Sequence, residues 1–145
     1  MKNFKHFFQI THHSKLESIA LLIMRLIVGS AFFIHGSGKI HTPFSWMPPQ
    51  VPIPAFLQFL AAISEFGGGI ALILGLITPL ASLGIACTMT GAVYMHLIIR
   101  HDPFVNLTGG MSYEPALGYL GVVILIFIMG PGKFSLDKLI FGERN

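Results

Sequence analysis

The sequence predicts an all-α membrane protein, a bundle of four transmembrane helices with both termini in the cytoplasm. Three observations predict it. The first is composition: of 145 residues, 53% are hydrophobic and 10% charged, with a mean hydropathy of +0.73. A soluble domain carries about 25% charged residues. So little polar surface cannot coat a globule in water, which excludes a disordered chain, a nucleic-acid binder and an ordinary cytosolic enzyme. The second is a set of four apolar stretches, each near the roughly 20 residues needed to cross a bilayer. The third is the clustering of proline and glycine between those stretches, where a helix cannot continue.

The first helix is expected at about residues 16–38 and the second at about 54–76. Between them lie Pro43, Pro48, Pro49, Pro52 and Pro54, too many for a helix interior. Gly75 to Pro79 reads as a tight turn into a third helix at about 79–99. Arg100 to Ser112 reads as a loop, with Asp102, Pro103, Asn106, Gly109 and Gly110. The fourth helix is expected at about 113–129, stopped by Gly130-Pro131-Gly132. Ser135 then caps a short interfacial segment at about 135–141, with Leu136, Leu139 and Ile140 toward lipid. Backbone groups in lipid must pair internally, and runs such as Ile19–Met24 and Val122–Met129 lack the alternation of barrel strands. The whole chain, 1–145, reads as one membrane domain.

A cleaved signal peptide is the rival reading of the first stretch. Gly29-Ser30-Ala31 is a poor cleavage site, because Phe32 and Phe33 follow it and Arg25 interrupts the core. Orientation follows the positive-inside rule. Lys2, Lys5 and Lys15 precede the first helix and Lys133, Lys138 and Arg144 follow the last, against Lys39 and Arg100 in the opposite loops. The net charge of +3 therefore reflects topology rather than nucleic acid. Trp46 and Phe44 suit the outer interface.

Ionisable groups inside the bilayer are costly, and each needs a reason. Arg25 and Glu65 are the clearest cases. Counted from the cytoplasmic ends of their helices, Arg25 lies roughly 12–14 Å deep and Glu65 roughly 15–17 Å. Matched depths on antiparallel neighbours predict an Arg25–Glu65 ion pair, with Gly67, Gly68 and Gly69 allowing close backbone approach. Such a pair either locks helix register or presents one partner to a ligand. A second group gathers near the outer ends. His35 and Lys39 share a face of helix one, His96 and Arg100 repeat that spacing on helix three, and Glu114 opens helix four. His101 and Asp102 begin the loop beside them, and His41 reads as exposed. The bland alternative has Lys39 and Arg100 snorkelling to headgroups and Glu114 complementing a helix dipole. The candidate ligand-binding residues are thus Arg25, Glu65, His35, Lys39, Glu114 and His96.

No metal site is expected, since one histidine per helix gives no ligand spacing. The single cysteine, Cys87, excludes a disulfide framework, a CxxC redox pair and a cysteine cluster. Met89, Tyr94 and Met95 on helix three could flank an aromatic ligand or simply pack. The repeated His-x3-Lys/Arg spacing is a weak sign of a duplicated hairpin. Asn106-Leu107-Thr108 matches a glycosylation sequon that has meaning only in a secretory pathway.

These residues resemble the DoxX family of small four-helix membrane proteins. Arg25-Leu26, Gly29, Phe32-Phe33 and His35-Gly36-x-x-Lys39 are similar to the family's first helix. Glu65-Phe66-x-Gly68-Gly69 with Leu74-Gly75 is similar to its second. Glu114 and the run Gly130-Pro131-Gly132-Lys133-Phe134-Ser135-Leu136-Asp137 are similar to its fourth helix and C-terminal signature. The resemblance implies a bacterial inner-membrane protein associated with oxidoreductase complexes, thiol stress or quinone resistance. It implies a redox-associated subunit that binds a quinone or similar apolar ring, with lipid and oxidoreductase proteins as partners and self-association left open. The sequence has no haem-like or flavin motif and no cysteine pair, so autonomous catalysis is not expected. A small-molecule transporter and a membrane scaffold or assembly factor are the alternative functions.

Overall fold

The computed structural model describes residues 7–144. Lys2 and Lys5, which contribute to the orientation argument, lie outside the described residues. Helix α1 spans Lys15–Lys39, α2 Ala55–Leu74, α3 Thr78–Tyr94, α4 Glu114–Met129 and the short α5 Leu136–Phe141. A π-helical turn, Met95–Ile99, extends α3. The expected helices are all present, within a few residues of their expected ends. Helices α1, α2 and α3 with its π turn are long and apolar enough to cross a membrane, whereas α4, with 16 residues, is shorter. Among the described residues the extended pairing is a single bridge between Ile10 and Glu143.

Local chemistry sets the boundaries. Helix α1 starts with a capping box: Ser14 Oγ accepts from Glu17 N at 3.2 Å, and Ser14 N donates to Glu17 Oε2 at 2.7 Å. Helix α2 ends at Gly75 in the left-handed conformation that glycine adopts without strain. The α2–α3 turn then forces Ile77 to φ 43°, unusual for a β-branched residue. Ser135 caps α5, its Oγ accepting from Lys138 N at 3.2 Å.

The core lies where the four long helices meet, with Val28 and Phe32 of α1, Leu72 of α2, Ile85 and Met89 of α3, and Val123 and Ile126 of α4. The α1–α2 contact is closest because glycines face backbone there. A Cβ on Gly36 would collide with the Phe66 backbone, and one on Gly69 would lie 2.5 Å from Phe33 N and 2.8 Å from Gly29 O. Gly68 faces Ile85 instead, and a Cβ on Gly67 would meet no atom.

This register corrects the expected Arg25–Glu65 pair. Gly36 lies opposite Glu65 and Phe66, and Gly29 opposite Gly69 and Ile73. Arg25 is therefore level with the α2–α3 turn, where a Cβ on Gly75 would touch its guanidinium. Helix α1 overhangs α2 at the terminal end by about 15 Å, ten residues at the helical rise, so depths counted from helix ends do not compare. Arg25 is buried and donates instead to Pro131 O at 2.6 Å and Phe134 O at 2.9 Å. The segment after α4 covers the overhang: Gly132 packs near Ser18 and Leu21, and His13 Nε2 lies 2.7 Å from Met129 O. Asp137, fully buried, accepts from Ile77 N at 2.6 Å and Thr78 N at 2.8 Å, closing the turn.

Candidate functional site

The opposite end of the bundle carries the candidate site. Helix α1 delivers Lys39 from its last turn. Side chains on a helix tilt toward its N-terminus, so Lys39 points down into the bundle rather than out to the headgroups. Its Nζ lies 2.5 and 2.6 Å from the two carboxylate oxygens of Glu65 on α2. Glu65 has 2% of its side chain exposed and Lys39 24%. Opposite charges held this way satisfy a carboxylate that would otherwise be costly in a bilayer. Lys39 Nζ also sits 4.4 Å from the Trp46 ring centroid, a cation–π contact.

Gln58, a buried amide on α2, pins the α1–α2 loop that brings Trp46 there. Its backbone oxygen accepts from Trp46 Nε1 at 2.8 Å, its Oε1 accepts from Met47 N at 3.0 Å, and its Nε2 donates to Ile53 O at 3.0 Å. On the other wall the π turn shifts the end of α3. His96 Nδ1 lies 2.7 Å from Asp102 Oδ2, and Asp102 N donates back to His96 O at 2.8 Å. His101, between them and the turn, is left-handed at φ 54°. π turns and left-handed residues concentrate at functional sites. With Nδ1 engaged by the carboxylate, the remaining ring nitrogen, Nε2, is available to a ligand.

A cavity of about 390 Å³ lies between these walls, lined by His35, Lys39, Glu65, Met89, His96 and Tyr119 among others. Tyr119 packs edge-on against Phe32, ring centroids 5.1 Å apart. Four of the six sequence candidates therefore converge: His35, Lys39, Glu65 and His96. Two do not. Arg25 serves the terminal end, and Glu114 is exposed at the start of α4, its backbone N donating to Phe104 O at 3.1 Å. Met89 joins the cavity wall, whereas Tyr94 and Met95 line a larger groove beside it. Sequence reasoning missed Gln58 and Asp137, and it placed Asp102 beside the cluster without pairing it to His96. Gln58 carried a signal, being a polar residue within an apolar helix. Asp137 sits in an interfacial segment, where a carboxylate is unremarked. Among the described residues no group of three or more His, Cys, Asp or Glu side chains is placed to hold a metal.

An all-helical membrane protein with a charged pair and an oriented histidine lining a cavity at one end of the bundle is the class that fold and site define. The DoxX family model matches residues 20–97, more than half of the chain, and the chain belongs to that family. It is 28% identical over 128 residues to inner membrane protein YqjF of Escherichia coli (strain K12), covering 87% of this chain and 95% of that protein. It is 29% identical over 135 residues to the putative oxidoreductase CatD of Bacillus subtilis (strain 168), covering 91% and 96%. It is 29% identical over 131 residues to inner membrane protein YphA of the same Escherichia coli strain, covering 83% and 89%. No solved structure matches the chain.

Proposed function

We propose that this protein is a redox-associated subunit of a bacterial inner membrane that binds a quinone or similar apolar ring in the cavity between Lys39, Glu65 and His96. The observation that carries the reading is the cavity itself. Its volume of about 390 Å³ falls at the lower end of the range for small-molecule sites, about 300–1,000 Å³. Its walls combine apolar side chains with a few convergent polar ones. Lys39 and His96 supply donors for carbonyl oxygens, and Met89 and Tyr119 supply apolar faces. That one relative is named a putative oxidoreductase accords with the reading. Electrons would be exchanged with a partner oxidoreductase, because the chain has no redox cofactor motif of its own. The proposed orientation keeps both termini cytoplasmic, with Lys15, Lys133, Lys138 and Arg144 on that side. A Glu65 already held by Lys39 is a poor proton exchanger, which counts against the transporter alternative.

Trp46 is the sole tryptophan and lies against Lys39, so its fluorescence reports on the site. Titrating a short-chain benzoquinone or naphthoquinone into the purified protein in nanodiscs should quench it saturably. The quenching should weaken in His96→Ala while the protein remains folded. Linear, non-saturating quenching in wild type across detergents and nanodiscs would refute the reading.

A further inference from the structure

The cavity at Lys39, Glu65 and His96 is not isolated. It shares Lys39, Glu65, Ala92, His96 and Met111 with a groove of about 1120 Å³ between α2 and α3. That volume exceeds the usual range for a compact small-molecule site. The groove is also polarised along its length. Lys39, Glu65, His96 and Arg100 all lie between the middle of α2 and the loop, while Ala71, Ile77, Leu80, Ala81 and Leu83 line the half toward the α2–α3 turn. Along α3 it runs from Ala81 to His96, about 22 Å at the helical rise. Its floor is partly bare: Gly67 and Gly91 line it, and a Cβ on either would meet no atom within 4 Å.

We propose that this groove takes the long apolar chain of an amphiphilic ligand whose polar ring occupies the cavity, so that the ligand is drawn sideways from the bilayer rather than from water. The inference rests on the ring-binding reading and names its substrate class: a ring carrying an extended isoprenoid-type chain. Its charged residues lie in the loop half and the half toward the α2–α3 turn is apolar, which is the polarity of such a molecule. A compact water-soluble ring would fill the cavity and leave the groove unused. Because the chain leaves lipid rather than water, its packing in the groove brings selectivity by shape more than by hydrophobic transfer.

The test uses the whole protein in nanodiscs of one lipid composition, with a chainless benzoquinone and the same ring bearing a decaprenyl-length chain. Gly67→Leu and Gly91→Leu start from positions that line the groove and where a Cβ meets no atom within 4 Å, and Gly121→Leu, whose Cβ also meets none but which lines neither cavity, is the control. The Gly67 and Gly91 variants should weaken the long-chain ligand about tenfold, by overpacking, and leave the chainless ring at its wild-type affinity. Gly121→Leu should change neither. Equal affinity of wild type and groove variants for the long-chain ligand would overturn the inference and leave the ring site standing. Equal weakening of both ligands would overturn it as well, since the substitutions would then act on the ring. A shift from dimer to monomer in the groove variants, with ligand affinities unchanged, would assign the groove to a second copy of the chain. Failure of both ligands to bind wild type would remove the ring site and the groove together.

Discussion

Lys39 closes on both carboxylate oxygens of Glu65, at 2.5 and 2.6 Å, from a position one turn beyond the glycine that lets the two helices touch. Arg25 is buried too, and it faces the opposite end of the bundle. Removing Lys39 alone leaves a carboxylate of 2% exposure without its partner. Lys39→Met should therefore cost about 3 kcal/mol, while Lys39→Met with Glu65→Leu should return close to wild-type stability. A double-mutant cycle on Arg25 and Glu65 should be additive within about 0.5 kcal/mol, because the two share no contact. Reversible unfolding in mixed micelles measures both cycles. Strong coupling between Arg25 and Glu65 would contradict this helix register.

The register itself depends on glycine. A Cβ at Gly36 has no room against the Phe66 backbone, and backbone cannot move aside as a flexible side chain can. Gly36→Ala should destabilise the protein by about 1–3 kcal/mol. Gly67→Ala, on the open face of α2, should be neutral or stabilise by up to about 1 kcal/mol through helix propensity. Thermal melting of the two variants side by side separates close approach from glycine content. Equal losses would mean that α1 and α2 are not in backbone contact.

Asp137 holds the turn at the other end. Its carboxylate accepts from Ile77 N and Thr78 N and so fixes a β-branched residue in the left-handed region. Asp137→Ala leaves those amides without partners and should cost about 1–3 kcal/mol. Asp137→Asn, which keeps one acceptor, should cost less. Amide hydrogen exchange at Ile77 and Thr78 should accelerate selectively in both variants. Unchanged protection there would show that the turn holds without the carboxylate.

Helix number and order, the turn at Gly75, the cap at Ser135 and the grouping of His35, Lys39 and His96 near the outer ends were legible in the sequence, because hydropathy, glycine and the rarity of charge in lipid are local signals. The partner of Glu65 was misread for a geometric reason. Counting depth from helix ends assumes that neighbouring helices end in one plane, and α1 overhangs α2. The tilt of side chains toward the helix N-terminus would have separated the pair. On antiparallel helices it sends Arg25 toward the termini and Glu65 toward the loops, and it brings Lys39 down to meet Glu65. The contacts of Asp102 and Asp137 were illegible for a different reason. Each acts across a loop or a long stretch of sequence on a backbone or ring nitrogen, and spacing alone carries no trace of that.

Asp102 bears directly on ligand binding. The π turn, the left-handed His101 and the hydrogen bond from Asp102 N to His96 O together place the carboxylate on His96 Nδ1. That contact fixes the ring's orientation and leaves Nε2 for a carbonyl or hydroxyl oxygen in the cavity. If His96 binds the ring, Asp102→Ala should raise the dissociation constant for a short-chain quinone about tenfold, the equivalent of about 1.4 kcal/mol for one hydrogen bond. Asp102→Asn retains an acceptor at the same place and should lie between Asp102→Ala and wild type. His96→Ala should lose as much as Asp102→Ala, and the double variant should lose no more than either, since one residue acts through the other. Quenching of Trp46 supplies the affinities and thermal melting supplies the control. A melting temperature that falls in Asp102→Ala while affinity stays constant would reduce Asp102 to a loop fastener with no part in positioning His96.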